Sequence, residues 1–201
     1  LGLGIVNQLL NVLKVYDAPF LRKRTNAPYL IGPDGHYVRE ARTGKPLVWD
    51  VEPNESAPFD SCPPERMALE GSYRVHEAEC QPAFVLLKDH VTRYTPEMVA
   101  EITGIPAAQI VSLAEELAAD ACIGETITID GREMPLRPVA VNFKMGAVGH
   151  KHGMMAGLAL HLINIVLGAI DVPGGFLGVN PVGPTWEPDV GPDGMIVAAA
   201  Q

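Results

Sequence analysis

The chain's 201 residues are 47% hydrophobic, with mean hydropathy +0.12, enough to bury a real core. The formal net charge of −9 argues against a nucleic-acid partner, because phosphate binding needs a basic face. Cys62, Cys80 and Cys122 are widely spaced and odd in number, with no CxxC and no zinc spacing, so a complete disulfide framework is excluded and scattered thiols are expected.

Taken in order, residues 1–16 predict an amphipathic helix with no capping residue before it and none of a signal peptide's basic start or cleavage site. A short helix or turn follows over 17–23. It ends in the basic cluster Arg22-Lys23-Arg24, which reads as a solvated helix end favoured by the helix dipole, or else as a docking patch. Residues 29–31 are extended, and Pro33-Asp34-Gly35 is a turn in which proline presets one dihedral and glycine takes the left-handed one. Residues 36–50 predict a β-ribbon around Thr43-Gly44-Lys45. Residues 52–65 carry Pro53, Pro58, Pro63 and Pro64 among acidic residues and predict a surface loop. A strand is expected over 71–76 and helices over 82–94, 96–103 and 106–120. The last of these places Ile110, Leu113, Ala114, Leu117 and Ala118 on one apolar face. Residues 126–130 with Gly131 form a hairpin arm.

Residues 139–178 are the most informative. Val139–Phe143 is an apolar run of the kind a buried parallel strand shows. Gly146, Gly149 and Gly153 then permit a tight turn or the close approach of a ligand. Residues 154–167 are apolar almost all round and predict a buried helix, stopped by Gly168 and Pro173-Gly174-Gly175. At 17 residues, the uncharged run 154–170 is short for a membrane span, and it carries His161 and Asn164. Those two are expected as buried polar groups satisfied by neighbouring backbone. A loop between a strand end and a helix start is where open α/β sheets bind phosphorylated ligands. The fold class expected is α/β, a partial Rossmann-like parallel sheet flanked by helices.

This order of motifs resembles the molybdopterin oxidoreductases of the dimethyl sulfoxide reductase family. The similarity lies in Met145-Gly146, Gly153, the Gly168–Gly175 turn and Val179-Asn180-Pro181-Val182. Tyr94–Ile110 is similar to the family's "YTPE…TGvpaeqI" helix pair. Tyr16–Phe20 with Thr25–Leu30 resembles the "yDxxF…TNAPyL" segment of the larger thiosulfate, polysulfide and arsenate reductase-like members. Formate dehydrogenases of the family continue with an arginine after Val-Asn-Pro-Val. Here Gly183-Pro184-Thr185-Trp186 follows, which counts against that activity, and Trp186 shapes a substrate funnel or packs in its loop.

The resemblance implies a piece of a larger catalytic subunit. Residues 1–178 would be an internal domain that binds molybdopterin guanine dinucleotide and is incomplete on its N-terminal side. Residues 179–201 would be a loop leading to a neighbouring domain. It implies a bis-molybdopterin guanine dinucleotide with molybdenum or tungsten, two-electron redox or oxygen-atom transfer on a small-molecule substrate, and a metal ligand and iron–sulfur cluster upstream. Partners would be the remaining domains and an iron–sulfur electron-transfer subunit, in a prokaryotic periplasm or cytoplasm. The alternative is a non-enzymatic iron–sulfur electron-carrying subunit of the same fold in a respiratory complex. A nicotinamide-binding Rossmann domain is disfavoured because the loop lacks GxGxxG spacing.

The cofactor-binding residues implied are Met145, Gly146, Gly149, His150, His152, Gly153, Gly174 and Asn180. Each has a plainer reading: a ligand-free turn for the glycines, exposed loop histidines, and a turn-forming asparagine. Lys144 and Lys151 are further phosphate partners or simply exposed lysines. No catalytic residue and no metal ligand is assigned. Three isolated cysteines and no clustered carboxylate–histidine set predict that 1–201 alone builds neither a cluster nor a molybdenum site.

Overall fold

The computed structural model describes residues 1–177, and it opens with a helix that changes pitch. α1 (Gly2–Asn7) continues into a π-helical segment, Gln8–Leu13, which stops at Lys14 in the left-handed conformation (φ 57°). A helix was expected here, but 3.6-residue periodicity does not register the extra residue per turn that a π segment absorbs. Ile5, Val6, Leu9 and Leu10 are buried. The amides of Asn7 and Asn11 donate to the carbonyls of Tyr94 and Lys88 at 3.3 and 3.0 Å, tying α1 to the end of α3 (Ala83–Val91). α2 (Ala18–Arg24) begins at Asp17, whose carboxylate accepts from the Phe20 N–H at 2.9 Å, as an N-cap should.

A β-rich region follows. β1 (Leu30–Ile31), β5 (Ala78–Pro82) and β4 (Tyr73–Val75) form one antiparallel sheet in that order, and β2 (Leu47–Asp50) pairs antiparallel with β3 (Glu55–Pro58). Two expectations are corrected. Residues 55–58 are a strand and not loop: Pro58 lies at the end of β3 opposite Leu47, on an edge where its missing N–H breaks no ladder. β5 was missed altogether. Its hairpin turn is His76-Glu77, both with positive φ (49° and 67°), a conformation usually marked by Asn-Gly. The second hairpin, β6 (Thr126–Ile129) with β7 (Arg132–Pro135), turns at Asp130-Gly131 and was legible for that reason.

α4 (Pro96–Thr103) and α5 (Ala107–Asp120) lie where periodicity placed them. Ile110 and Ala114 are buried as expected, whereas Leu113 is 40% exposed. The main core joins apolar side chains of α1, α3, α4, α5 and α7 (Gly153–Val166). α1 crosses α7 with backbones in contact: a Cβ on Gly2 would stand 2.9 Å from the Ala159 carbonyl oxygen.

Helices and strands are mixed in one chain, as the α/β class requires. The parallel sheet is not found. Among the described residues every strand ladder is antiparallel, and the one parallel bridge is Ile170 with Phe176. Val139–Phe143 is not a strand, because a side chain stands in for the neighbouring backbone. Asn164, 1% exposed, accepts from the Val141 N–H at 2.8 Å and donates to the Val141 carbonyl at 2.7 Å. The expected glycine loop holds a short helix, α6 (Met145–Val148). α7 is buried only in part: Met154, Met155 and Leu158 are 80%, 67% and 53% exposed. No described helix is long and apolar enough to cross a membrane.

Candidate functional site

The backbone between Lys144 and Gly153 is wound tightly, and its glycines are required by contact. The Gly149 N–H closes on the Met145 carbonyl at 2.6 Å and the Gly153 N–H on the His150 carbonyl at 2.9 Å. A Cβ on Gly149 would lie 2.8 Å from the Met145 oxygen, and one on Gly153 only 1.6 Å from the Val148 oxygen. Gly146 differs: nothing lies within 4 Å of the space a side chain would fill. Met145 beside it is 84% exposed.

The two loop histidines divide their roles. His150 Nδ1 accepts from the His152 N–H at 3.2 Å, which puts its proton on Nε2, where it faces the Ala147 carbonyl at 3.2 Å. Its ring is therefore committed to holding the loop. The exposed His152 ring has no partner among the described residues, and it stands at the start of α7. That helix has no side-chain cap. The Gly153 and Ala156 amides bond the carbonyls of His150 and His152, leaving those of Met154 and Met155 without a described acceptor. An uncapped helix start carries partial positive charge and orphan N–H donors, the combination that favours an anion.

A second turn is packed closely against residues 137–138. Gly174 has φ 82°, and a Cβ there would lie 2.7 Å from the Pro138 Cα; the Arg137 N–H donates to the Pro173 carbonyl at 3.0 Å. Gly175 is pressed against the Ala169 oxygen, 2.8 Å from its would-be Cβ. His161 lies between the rings of Phe143 and Phe176, with centroids 5.0 and 4.8 Å away, and its Nδ1 is 3.4 Å from the Asn164 amide. The segment 139–143, α7 and the turn before Phe176 thus meet at His161. Asn180, the Val179–Val182 run and Trp186 lie outside the described residues. Among the described residues no three His, Cys, Asp or Glu side chains gather as a metal site.

The chain is 30% identical to a sulfite dehydrogenase subunit of Allochromatium vinosum, with 90% of this chain aligned to 22% of that protein. It is 29% identical to the perchlorate reductase alpha subunit of Dechloromonas aromatica over 52% of this chain and 16% of that one. With the formate dehydrogenase major subunit of Haemophilus influenzae the identity is 26%, over 89% and 16%. No family model matches. The chain belongs to the molybdopterin oxidoreductases of the dimethyl sulfoxide reductase family. It spans about a fifth of the length of the curated relatives it matches, or less.

Sequence reasoning missed the group that fixes this family segment in place. Arg137 and Asp17 form a buried ion pair, with Nη2 and Nε at 2.6 and 3.1 Å from Oδ2. Arg137 Nη1 also donates to the carbonyls of Cys122, Glu125 and Leu136, at 3.0, 3.3 and 2.6 Å. Asp17 caps α2 with its other oxygen, and its N–H donates to the Val166 carbonyl at 2.8 Å. The partners are 120 residues apart in sequence, and only the Asp-Ala-Pro cap pattern before α2 marked either one.

Asn164 offers a local test. Asn164→Leu keeps the volume but strips both partners from Val141, and each orphaned backbone group costs about 1–3 kcal/mol. The variant should unfold at lower temperature and lose the fixed spacing of 139–143 against α7. An unchanged thermal transition would show that water replaces the amide.

Proposed function

We propose that the chain is part of the catalytic subunit of an enzyme using a bis-molybdopterin guanine dinucleotide with molybdenum or tungsten, acting on a small substrate by two-electron redox or oxygen-atom transfer. The observation that carries this reading is the alignment of 90% of the chain with the sulfite dehydrogenase subunit. The residues present fit the anionic, organic part of such a cofactor. The Met154 and Met155 amides and the His152 ring are donors without described acceptors, at an uncapped helix start. Gly146 leaves room for a ligand to lie against the backbone.

In this reading the Met145–Gly153 loop receives the pyrophosphate or guanosine half of one cofactor. Met145 and Gly146 form its open wall, and Gly149, His150 and Gly153 hold its shape. Gly174 would lie towards the pterin, and Asn180, outside the described residues, is assigned to the cofactor by resemblance alone. When bound, the cofactor supplies the redox-active metal; the protein binds, orients and sets the electrostatics. The helix dipole of α7 and its free amides counter the phosphate charge. The metal's protein ligand and an iron–sulfur cluster would come from other parts of the subunit, and electrons would pass to an iron–sulfur subunit.

The test is metal and pterin analysis of the full-length protein. Molybdenum or tungsten with extractable pterin is the expected result. Iron–sulfur clusters without pterin would replace this reading with that of an electron-carrying subunit of the same fold.

A further inference from the structure

We propose that the cleft at the C-terminal end of α2 is a docking site for an acidic segment of a partner polypeptide. The cleft encloses about 470 Å³ and is lined by Arg22, Lys23 and Arg24 on one wall, with Tyr29, Phe59 and Met67 among its apolar surface. Arg22 is fixed there, its Nε donating to the Met67 carbonyl at 2.8 Å. Lys23 and Arg24 are exposed, and no hydrogen bond or ion pair holds either one among the described residues. The chain has 24 acidic residues against 15 lysines and arginines, yet no described carboxylate reaches these two cations. The helix dipole accounts for cations at this end of α2, but not for their lack of partners in so acidic a chain.

The rest of the cleft's lining holds one carboxylate, and it is already paired. Asp60 lines it but is paired with Lys45 at 2.5 Å, and that lysine's hydrogen bond holds the carboxyl below its ordinary range. Burial, and after it the nearby Asp50, pushes the Cys62 thiol up to about 11, so it lines the cleft uncharged. The Tyr29 and Phe59 rings pack 5.3 Å apart, centroid to centroid.

The shape selects a polypeptide over a small oxyanion. All three cations come from one turn of one helix, where successive side chains diverge by about 100°, so they spread along the cleft and do not converge as a cage. An extended segment can set carboxylates along that wall and apolar side chains on the rings. With a net charge of −9, the chain repels an acidic partner generally, and this patch is where the local field reverses and steers the encounter. The proposal does not depend on the cofactor reading.

The experiment uses the full-length protein and a fluorescein-labelled synthetic peptide of Asp and Glu with interspersed Phe, followed by fluorescence anisotropy. Binding should be saturable and weaken about tenfold or more in Lys23→Glu/Arg24→Glu. It should weaken similarly on raising the salt to about 0.5 M. Both positions are exposed, so the variant should keep the parent's circular dichroism and its metal content. Absence of binding, or equal affinity in the charge-reversed protein, would overturn the proposal. Displacement of the peptide by inorganic phosphate at about its own concentration would also overturn it, because the cleft would then be a small-anion site.

Discussion

Gly153→Ala should yield little soluble protein and no cofactor-loaded protein, whereas Gly146→Ala should fold normally. The two glycines are seven residues apart and belong to the same loop, but they face different surroundings. At Gly153 an added methyl would sit 1.6 Å from the Val148 carbonyl oxygen. That overlap is with backbone, so no side-chain rotation relieves it. Either α6 moves away or α7 loses its first turn, and the His150 carbonyl then loses the Gly153 amide it accepts from at 2.9 Å. Strain of this kind belongs to the short list of mechanisms that give large destabilisation. At Gly146 the methyl meets nothing within 4 Å, and glycine-to-alanine in a helix gains roughly 0.5–1 kcal/mol. Gly146→Ala therefore reads ligand contact apart from folding. Parental thermal stability with reduced pterin content supports cofactor contact at this wall. Parental stability with full pterin content would remove Gly146 from the site, and normal yield and loading in Gly153→Ala would show that the loop is not built as described.

Much of this segment could be read from sequence because its signals are local. The α7 stop at Gly168, with φ 65°, and the Asp130-Gly131 hairpin are set by residues whose backbone preferences are strong. The Lys144–Gly153 loop was marked by its glycine spacing, and two of its glycines are required by contact. What could not be read depended on partners distant in the chain. Val139–Phe143 has the composition of a buried strand, but only Val139 is buried, and the backbone of Val141 is paired by a side-chain amide in place of a neighbouring strand. The exposed face of Met154, Met155 and Leu158 reads as buried in any hydropathy count, because hydropathy does not say what covers a face. β5 was lost because His76-Glu77 adopts a turn its residue types do not advertise. The division of labour between His150 and His152 is equally invisible in sequence: the two are equivalent as letters, and only the loop's hydrogen bonds commit one of them.

Arg137→Met should destabilise the protein by about 3–5 kcal/mol, the cost of removing one partner of a buried ion pair. In a domain of this size that corresponds to a transition roughly 6–20 °C lower. The loss exceeds the pair itself, since three backbone carbonyls also lose their donor. Asp17→Asn should also destabilise. Its single amide oxygen can take the place of Oδ1 and accept from the Phe20 N–H, or of Oδ2 and accept from Arg137, but not both. Its NH2 group then faces a donor, while the buried guanidinium loses its counter-charge. The double variant Asp17→Asn/Arg137→Met should be less destabilised than the sum of the singles, because the second substitution removes a charge the first has already stranded. The link to function runs through the backbone of Arg137, whose N–H holds Pro173 and with it the Gly174 turn against Pro138. Methionine keeps that N–H but frees the segment on the other side, so the turn should loosen and pterin content should fall even where the protein stays folded. Strict additivity of the two substitutions would mean that the ion pair is not the coupling element. An unchanged transition in Arg137→Met would mean that it contributes no stability, and that the close fit of Gly168 over Asp17, 2.4 Å from a would-be Cβ to the carboxylate oxygen, holds these segments without it.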